Sequence, residues 1–208
     1  FPNGAFGRSA EGGDTLIDTA YVLLFLARGR APIMMNKLLF DGYWSNRPRD
    51  IANLANYTSK QLERPVNWQV VNLNREPTDW ADAPILYIAS HVPIPLTDIE
   101  LSKLSDFVDA GGIIFTHADG GSPEFNRFVE VLAKKLFPAY QLRDLPTDHA
   151  LYTVNYNIPL PRPRLQGVSN GVRLLLINSP TDLSVAWQTR AFVSRQPMFQ
   201  LGANIYLY

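Results

Sequence analysis

Hydrophobic and polar positions change their period near Pro32, and the change separates two regions of the chain. Residues 1–13 are small, polar and glycine-rich and read as coil. The following DTLIDTAYVLLFLARGR reads as a helix. Asp14 is placed to cap it, Leu16, Ile17, Ala20, Tyr21, Leu24 and Ala27 share one side, and Gly29 ends it. Leu23 and Phe25 widen the apolar face beyond a single stripe, so this helix is expected to pack on two sides.

Beyond Pro32, strand and helix patterns alternate. Strands are predicted over Ile33–Phe40, Trp68–Leu73, Pro84–Ser90, Ile113–Thr116 and Val172–Ile177. PILYIAS (84–90) is continuously apolar, as a strand covered on both faces must be. A helix is predicted over Pro48–Glu63, with Ile51, Leu54, Ala55 and Leu62 buried. Thr97-Asp98-Ile99-Glu100 fits a capping box, followed by the stripe Leu101, Leu104, Phe107 and Val108 and a stop at Gly111-Gly112. Ser122 caps a further helix with Pro123 in its first turn and Phe125, Phe128, Val129, Leu132 and Leu136 along its face. Tyr140–Leu160 reads as a hairpin or an irregular flap, broken by Pro159, Pro161 and Pro163. Thr181-Asp182 starts a short helix through Trp187, and the C-terminal FQLGANIYLY reads as a helix in preference to an edge strand. Short glycine-rich joints between strand–helix repeats predict an α/β fold, a mostly parallel sheet with helices on both faces.

Composition narrows the chemistry. The 208 residues are 46% hydrophobic and 12% aromatic, which excludes a disordered chain. Lys+Arg and Asp+Glu both number 19, so no electrostatic footprint for nucleic acid or an anionic membrane exists. Cysteine is absent, which removes disulfides, thiolate metal sites and a cysteine nucleophile. The longest apolar run, Tyr21–Ala27, is far short of a membrane span. The chain starts at Phe1, and a processed product or a piece of a longer protein is the expectation.

From about Asn36 to Tyr208 the chain resembles the bacterial domain of unknown function numbered 4159. The motifs that carry the likeness are Asp41-Gly42-Tyr43-Trp44, Ile88-Ala89-Ser90-His91, Phe107-Val108-Asp109-Ala110-Gly111-Gly112, His117-Ala118-Asp119-Gly120 and Leu145-Pro146-Thr147-Asp148-His149. The resemblance implies a three-layer fold like flavodoxin or class I glutamine amidotransferase, and it implies no activity. The Asp-Thr-Ala-Tyr-x-Leu-Leu-Phe-Leu-Ala-Arg pattern resembles the last turn of a prenyltransferase/squalene-cyclase-type helical repeat. Residues 1–31 are therefore expected to be the tail of an upstream helical domain, and 32–208 the α/β domain.

In open parallel sheets, ligands sit beyond the carboxyl ends of the strands. The loops expected there hold Asn72, Asn74 and Arg75, then Ser90 and His91, then His117, Asp119, Gly120, Gly121 and Ser122. Ser169 and Asn170 are expected at the opposite end. The turn THADGGSPEF sits where an amidotransferase-like fold places its nucleophile, yet Ala118, Asp119 and Gly120 occupy the tip in place of a cysteine. Asp119 can serve as a base or nucleophile with His91 or His117. The simpler reading gives it and the glycines the work of shaping the turn, with the Gly120–Ser122 amides as donors to any bound anion. A Ser90–His117–Asp119 triad lacks the GxSxG elbow. His91, His117 and His149 can be combined into a metal site, but no HxH or HExxH spacing supports one.

Around residues 28–50, Arg28, Arg30, Lys37, Arg47 and Arg49 lie near Phe40, Tyr43 and Trp44. Exposed Trp44, Tyr43 and Trp80 would make a carbohydrate- or polymer-binding face. The alternative is a structured loop in which Trp44 buries its ring and the arginines pair with carboxylates. At the Leu145–His149 corner Asp148 is expected to accept backbone amides, and PLPRPR (159–164) is expected to be an ordered connector. The combined expectation is a non-catalytic binding or assembly domain of a bacterial cell-envelope or periplasmic protein. Its partner would be another protein or the chain's own upstream helical part. An oligomer is compatible with this reading, and no cofactor, metal, nucleic acid or membrane span is expected.

Overall fold

A computed structural model describes residues 15–29 and 31–208. The expected coil over 1–13, the cap at Asp14 and the side chains of Phe25, Ala27, Arg28 and Arg30 lie outside the described residues. The chain divides into two compact units, Phe1–Pro32 and Ile33–Tyr208. In the first, α1 (Thr15–Gly29) leaves Leu16, Ile17, Tyr21, Leu23, Leu24 and Leu26 exposed. Among the described residues no helix is long and apolar enough to cross a membrane.

The second unit is α/β. Its elements in order are β1 (Ile33–Leu39), α2 (Asp50–Gln61), β2 (Asn67–Asn72), β3 (Ile85–Ser90), α3 (Asp98–Asp109), β4 (Ile113–Ala118), α4 (Pro123–Leu136), β5 (Arg143–Asp144), β6 (Gln166–Ser169), β7 (Leu174–Ser179), α5 (Ser184–Gln188) and α6 (Gln196–Leu207). They build a seven-stranded sheet in the order β2-β1-β3-β4-β7-β6-β5. The first five strands of that order are parallel, and β6 and β5 extend the sheet antiparallel.

Alternation along the strands explains the layers, because successive side chains leave a sheet on opposite faces. Tyr87 and Phe115 join Ile51 and Leu54 of α2, Trp187 of α5 and Phe199 of α6 in one core. Leu86, Ile88 and Ile114 join Leu104 and Phe107 of α3 and Phe125 and Val129 of α4 in the other. All six residues of β3 are buried, as its continuous apolar run requires. The capping box forms at α3, where Thr97 Oγ1 accepts the Glu100 amide at 3.3 Å and Glu100 accepts the Thr97 amide at 2.7 Å. Ser122 caps α4 by accepting from the Phe125 amide at 3.2 Å.

Three expectations are corrected. Strand β4 runs two residues past Thr116, because pairing with β3 continues through Ala89↔His117 and Ser90↔Ala118. His117 is therefore a fully buried strand residue and not part of a loop. The strand predicted over Val172–Ile177 lies two residues later, since Gly171 at φ +88° turns the chain and leaves Val172 exposed. Of the two readings of Tyr140–Leu160, the irregular flap holds: the segment forms no hairpin of its own, and its strand β5 pairs with β6 beyond it.

Candidate functional site

The crossover after β1 carries α2 on one face towards β2, and the crossover after β3 carries α3 on the other face towards β4. The carboxyl ends of β1 and β3 therefore flank a topological switch point, the place where open α/β sheets form ligand crevices. The loop after β1 brings Tyr43, Asn46 and Arg47 there, β3 brings His91, β4 brings His117 and Asp119, and the segment after β7 brings Asp182 and Ser184.

His117 lies on the α5 side of the sheet. Its Nε2 accepts the amides of Leu183 and Ser184 at 2.9 and 3.2 Å. The ring proton therefore sits on Nδ1, which donates to Asp119 Oδ1 at 3.2 Å. Asp119 Oδ1 also faces Arg47 and the Ser184 hydroxyl, both at 3.4 Å, and its Oδ2 accepts from Asn46 at 2.9 Å. Burial alone would raise the Asp119 carboxyl, but the His117 hydrogen bond, Asn46 and Arg47 outweigh it and hold the group below its ordinary range.

Arg47 grips both oxygens of Asp182 in a fork and donates to Ser184 Oγ at 2.6 Å. Asp182 also takes the amides of Gly120 at 2.9 Å and Val185 at 3.1 Å. Its carboxyl too is lowered, burial being overcome chiefly by Arg47. One layer deeper, Lys37 and Asp50 form a buried ion pair at 2.6 Å. Lys37 also donates to the Arg47 carbonyl at 2.7 Å, and the Tyr87 hydroxyl reaches Asp50 at 3.2 Å. Burial, reinforced by Asp50, pushes the Tyr87 phenol well up.

The chemical consequence is that reactive atoms here are already engaged. Both nitrogens of His117 and both oxygens of Asp119 have partners inside the protein, and Asp119 is only 6% exposed. The Gly120 amide, expected as a donor to a bound anion, donates to Asp182, and the Ser122 amide donates to the Asp119 carbonyl at 3.3 Å. The Gly120–Gly121 turn needs both glycines, with φ at +66° and +70°. The chain's own carboxylate thus fills the place where an anion would sit.

His91 is linked to His117 only in two steps: Asn46 lies 3.0 Å from His91 Nδ1 and donates to Asp119, which in turn bonds His117. Ser90 stands apart, its hydroxyl tied to the carbonyl and amide of Val92. Ser122 donates to the His91 carbonyl at 2.6 Å. Tyr43 is exposed and its ring lies 4.6 Å from that of His91. Trp44 is half-buried against the second core, and Trp80 is fully buried, so it cannot present its ring to a ligand. His149 lies outside the sheet, where it caps the short turn Ala150–Tyr152 and packs against Tyr208. It accepts the Leu151 amide, the bond expected at Asp148. Among the described residues no group of three or more His, Asp or Glu is placed to hold a metal ion. Asn72, Asn74 and Arg75 close a local turn after β2, and Ser169 pairs with Leu174 at the opposite end of the sheet.

Sequence reasoning missed Asn46, Ser184, the role of Asp182 and the Lys37–Asp50–Tyr87 group. Lys37 carried a usable signal: a lysine in the middle of IMMNKLL faces inward and demands a buried acid.

The sequence model of the family described as "Domain of unknown function (DUF4159)" matches residues 31–208. No curated protein matches the chain.

Proposed function

The chain belongs to the family of that domain of unknown function, and from this premise we propose that it is a non-catalytic binding or assembly domain. The observation that carries the reading is the mutual satisfaction of the switch-point groups, where Arg47 is spent on Asp182 and Asp119, and both nitrogens of His117 are spent on backbone amides and Asp119. A general base needs a free lone pair within reach of a substrate proton, and His117 keeps none. The network instead fixes the loops that carry the exposed Tyr43 and the neighbouring His91, which form the recognising surface.

The fold is read as flavodoxin-like or class I amidotransferase-like. Support comes from the parallel strands, which follow the order 2-1-3-4 with β7 in fifth place, the flavodoxin-like arrangement. At the turn where an amidotransferase-like fold keeps its cysteine, Ala118, Asp119 and Gly120 stand, in agreement with a binding role. The division of the chain at Pro32 and the exposed apolar face of α1 support its assignment to a separate helical body of the repeat type. A place in a bacterial envelope assembly is supported by the resemblance of the first residues to a prenyltransferase/squalene-cyclase-type helical repeat joined to the α/β domain.

The opposing reading is a hydrolase using Asp119 with His91 or His117, favoured by the lowered carboxyl of Asp119. Cross-linking of the intact protein in its source cells separates the two. A partner recovered with wild type and lost with Tyr43→Ala supports binding. Hydrolysis of chromogenic ester or phosphate substrates that Asp119→Asn abolishes contradicts it.

A further inference from the structure

At the other end of the sheet, a cleft of about 620 Å³ opens beside the β5–β6 edge. That volume lies within the range of small-molecule sites, roughly 300–1,000 Å³. Its floor is apolar: Leu145 and Leu174 close over Gly167, where an added Cβ would lie 2.8 Å from both side chains. Tyr140 and Tyr208 stand in its walls, 41% and 42% exposed, and the His149 ring lies 5.5 Å from that of Tyr208.

Among the described residues, the acidic and basic side chains that line this cleft carry one sign. Arg173 is fixed by donating to the carbonyls of Gly112, at 2.9 Å, and Val108. Arg143 directs Nε and Nη2 at Gln141 Oε1, at 3.3 and 3.0 Å, and pairs with no carboxylate among the described residues. Strand alternation turns the adjacent Asp144 to the other face, where Arg164 takes both its oxygens at 2.9 and 3.0 Å. Among the described residues no Asp or Glu lines the cleft.

We propose that this cleft binds a small anion built on a planar ring, such as an aryl phosphate or aryl carboxylate. The N–H groups that Arg143 has not given to Gln141 receive the anionic group. The half-exposed tyrosine rings stack the planar body, and the leucine floor excludes water beneath it. This site is separate from the switch point and does not depend on what is bound there.

The test is titration of the ¹⁵N-labelled protein with phenyl phosphate, with inorganic phosphate and with phenol, followed by NMR. The expected result is saturable movement of the Gly167, Gly171 and Val172 amides with phenyl phosphate. Arg143→Gln should weaken this about tenfold, the loss of one charge-assisted hydrogen bond. Tyr140→Leu should weaken phenyl phosphate while leaving inorganic phosphate unchanged. Absence of saturation at millimolar concentration overturns the proposal, as do equal affinity in Arg143→Gln or shifts that map elsewhere. An exposed arginine whose side chain is held by Gln141 among the described residues can be replaced without threatening the fold, and the unshifted remainder of the spectrum reports that directly.

Discussion

At the switch point, inward-facing charges meet charges of opposite sign: Lys37 with Asp50, and Arg47 with Asp182 and Asp119. At the β5–β6 edge, Arg143 and Arg173 face a cleft lined by no carboxylate among the described residues. Both regions are polar and both lie at an end of the same sheet. In the first, the protein has already supplied the partners a ligand would bring, so its polar groups act as struts. In the second, the arginines hold only neutral acceptors, Gln141 and backbone carbonyls, and no carboxylate among the described residues meets their charge. A cluster of catalytic-type residues whose donors and acceptors already satisfy one another is thus weak evidence for chemistry, since structural ion-pair networks perturb the same groups.

The comparison breaks most visibly at Lys37. Lys37→Met leaves Asp50 buried without its cation and should cost about 3–5 kcal/mol in urea unfolding, whereas Arg143→Gln should stay within about 0.5 kcal/mol. Equal effects would erase the difference between the regions. A smaller, graded effect follows from acid. Asp119 and Asp182 have carboxyls lower in the folded protein than in the unfolded chain, so the unfolded chain binds more protons near pH 4. Their stabilisation is complete above about pH 4 and is lost as pH falls through the lower folded values. Melting temperatures recorded from about pH 7 to about pH 3 should therefore decline in acid, and the decline should shrink in Asp182→Asn. A wild-type profile no steeper than that of the variant would contradict the assignment.

Much of the fold was legible because its signals are local. The apolar run of β3 and the Thr97–Glu100 box are each contained within a few residues, and both formed as read. Where structure depends on distant pairing, the sequence was silent or misleading. His117 looked like a loop residue because nothing beside it in the chain reveals that β3 and β7 extend its strand. Two-residue β5 exists only through its partner β6. The same limit governed the site. Asp119, His117 and His91 stood out by residue type, but the Asn46–Asp119 bond spans 73 positions and the Arg47–Asp182 pair 135, so the bonds that occupy the catalytic-looking groups left no trace in any local pattern.

The most direct measurement is the unfolding free energy of Asp119→Asn at neutral pH. If Asp119 is a strut, the new amide confronts the donors of Asn46, Arg47 and His117, and stability should fall by about 2–3 kcal/mol. Residues retained for reactivity commonly sit at a cost to stability. An Asp119→Asn protein as stable as wild type, or more stable, would contradict the account and mark that carboxylate as kept for a reaction.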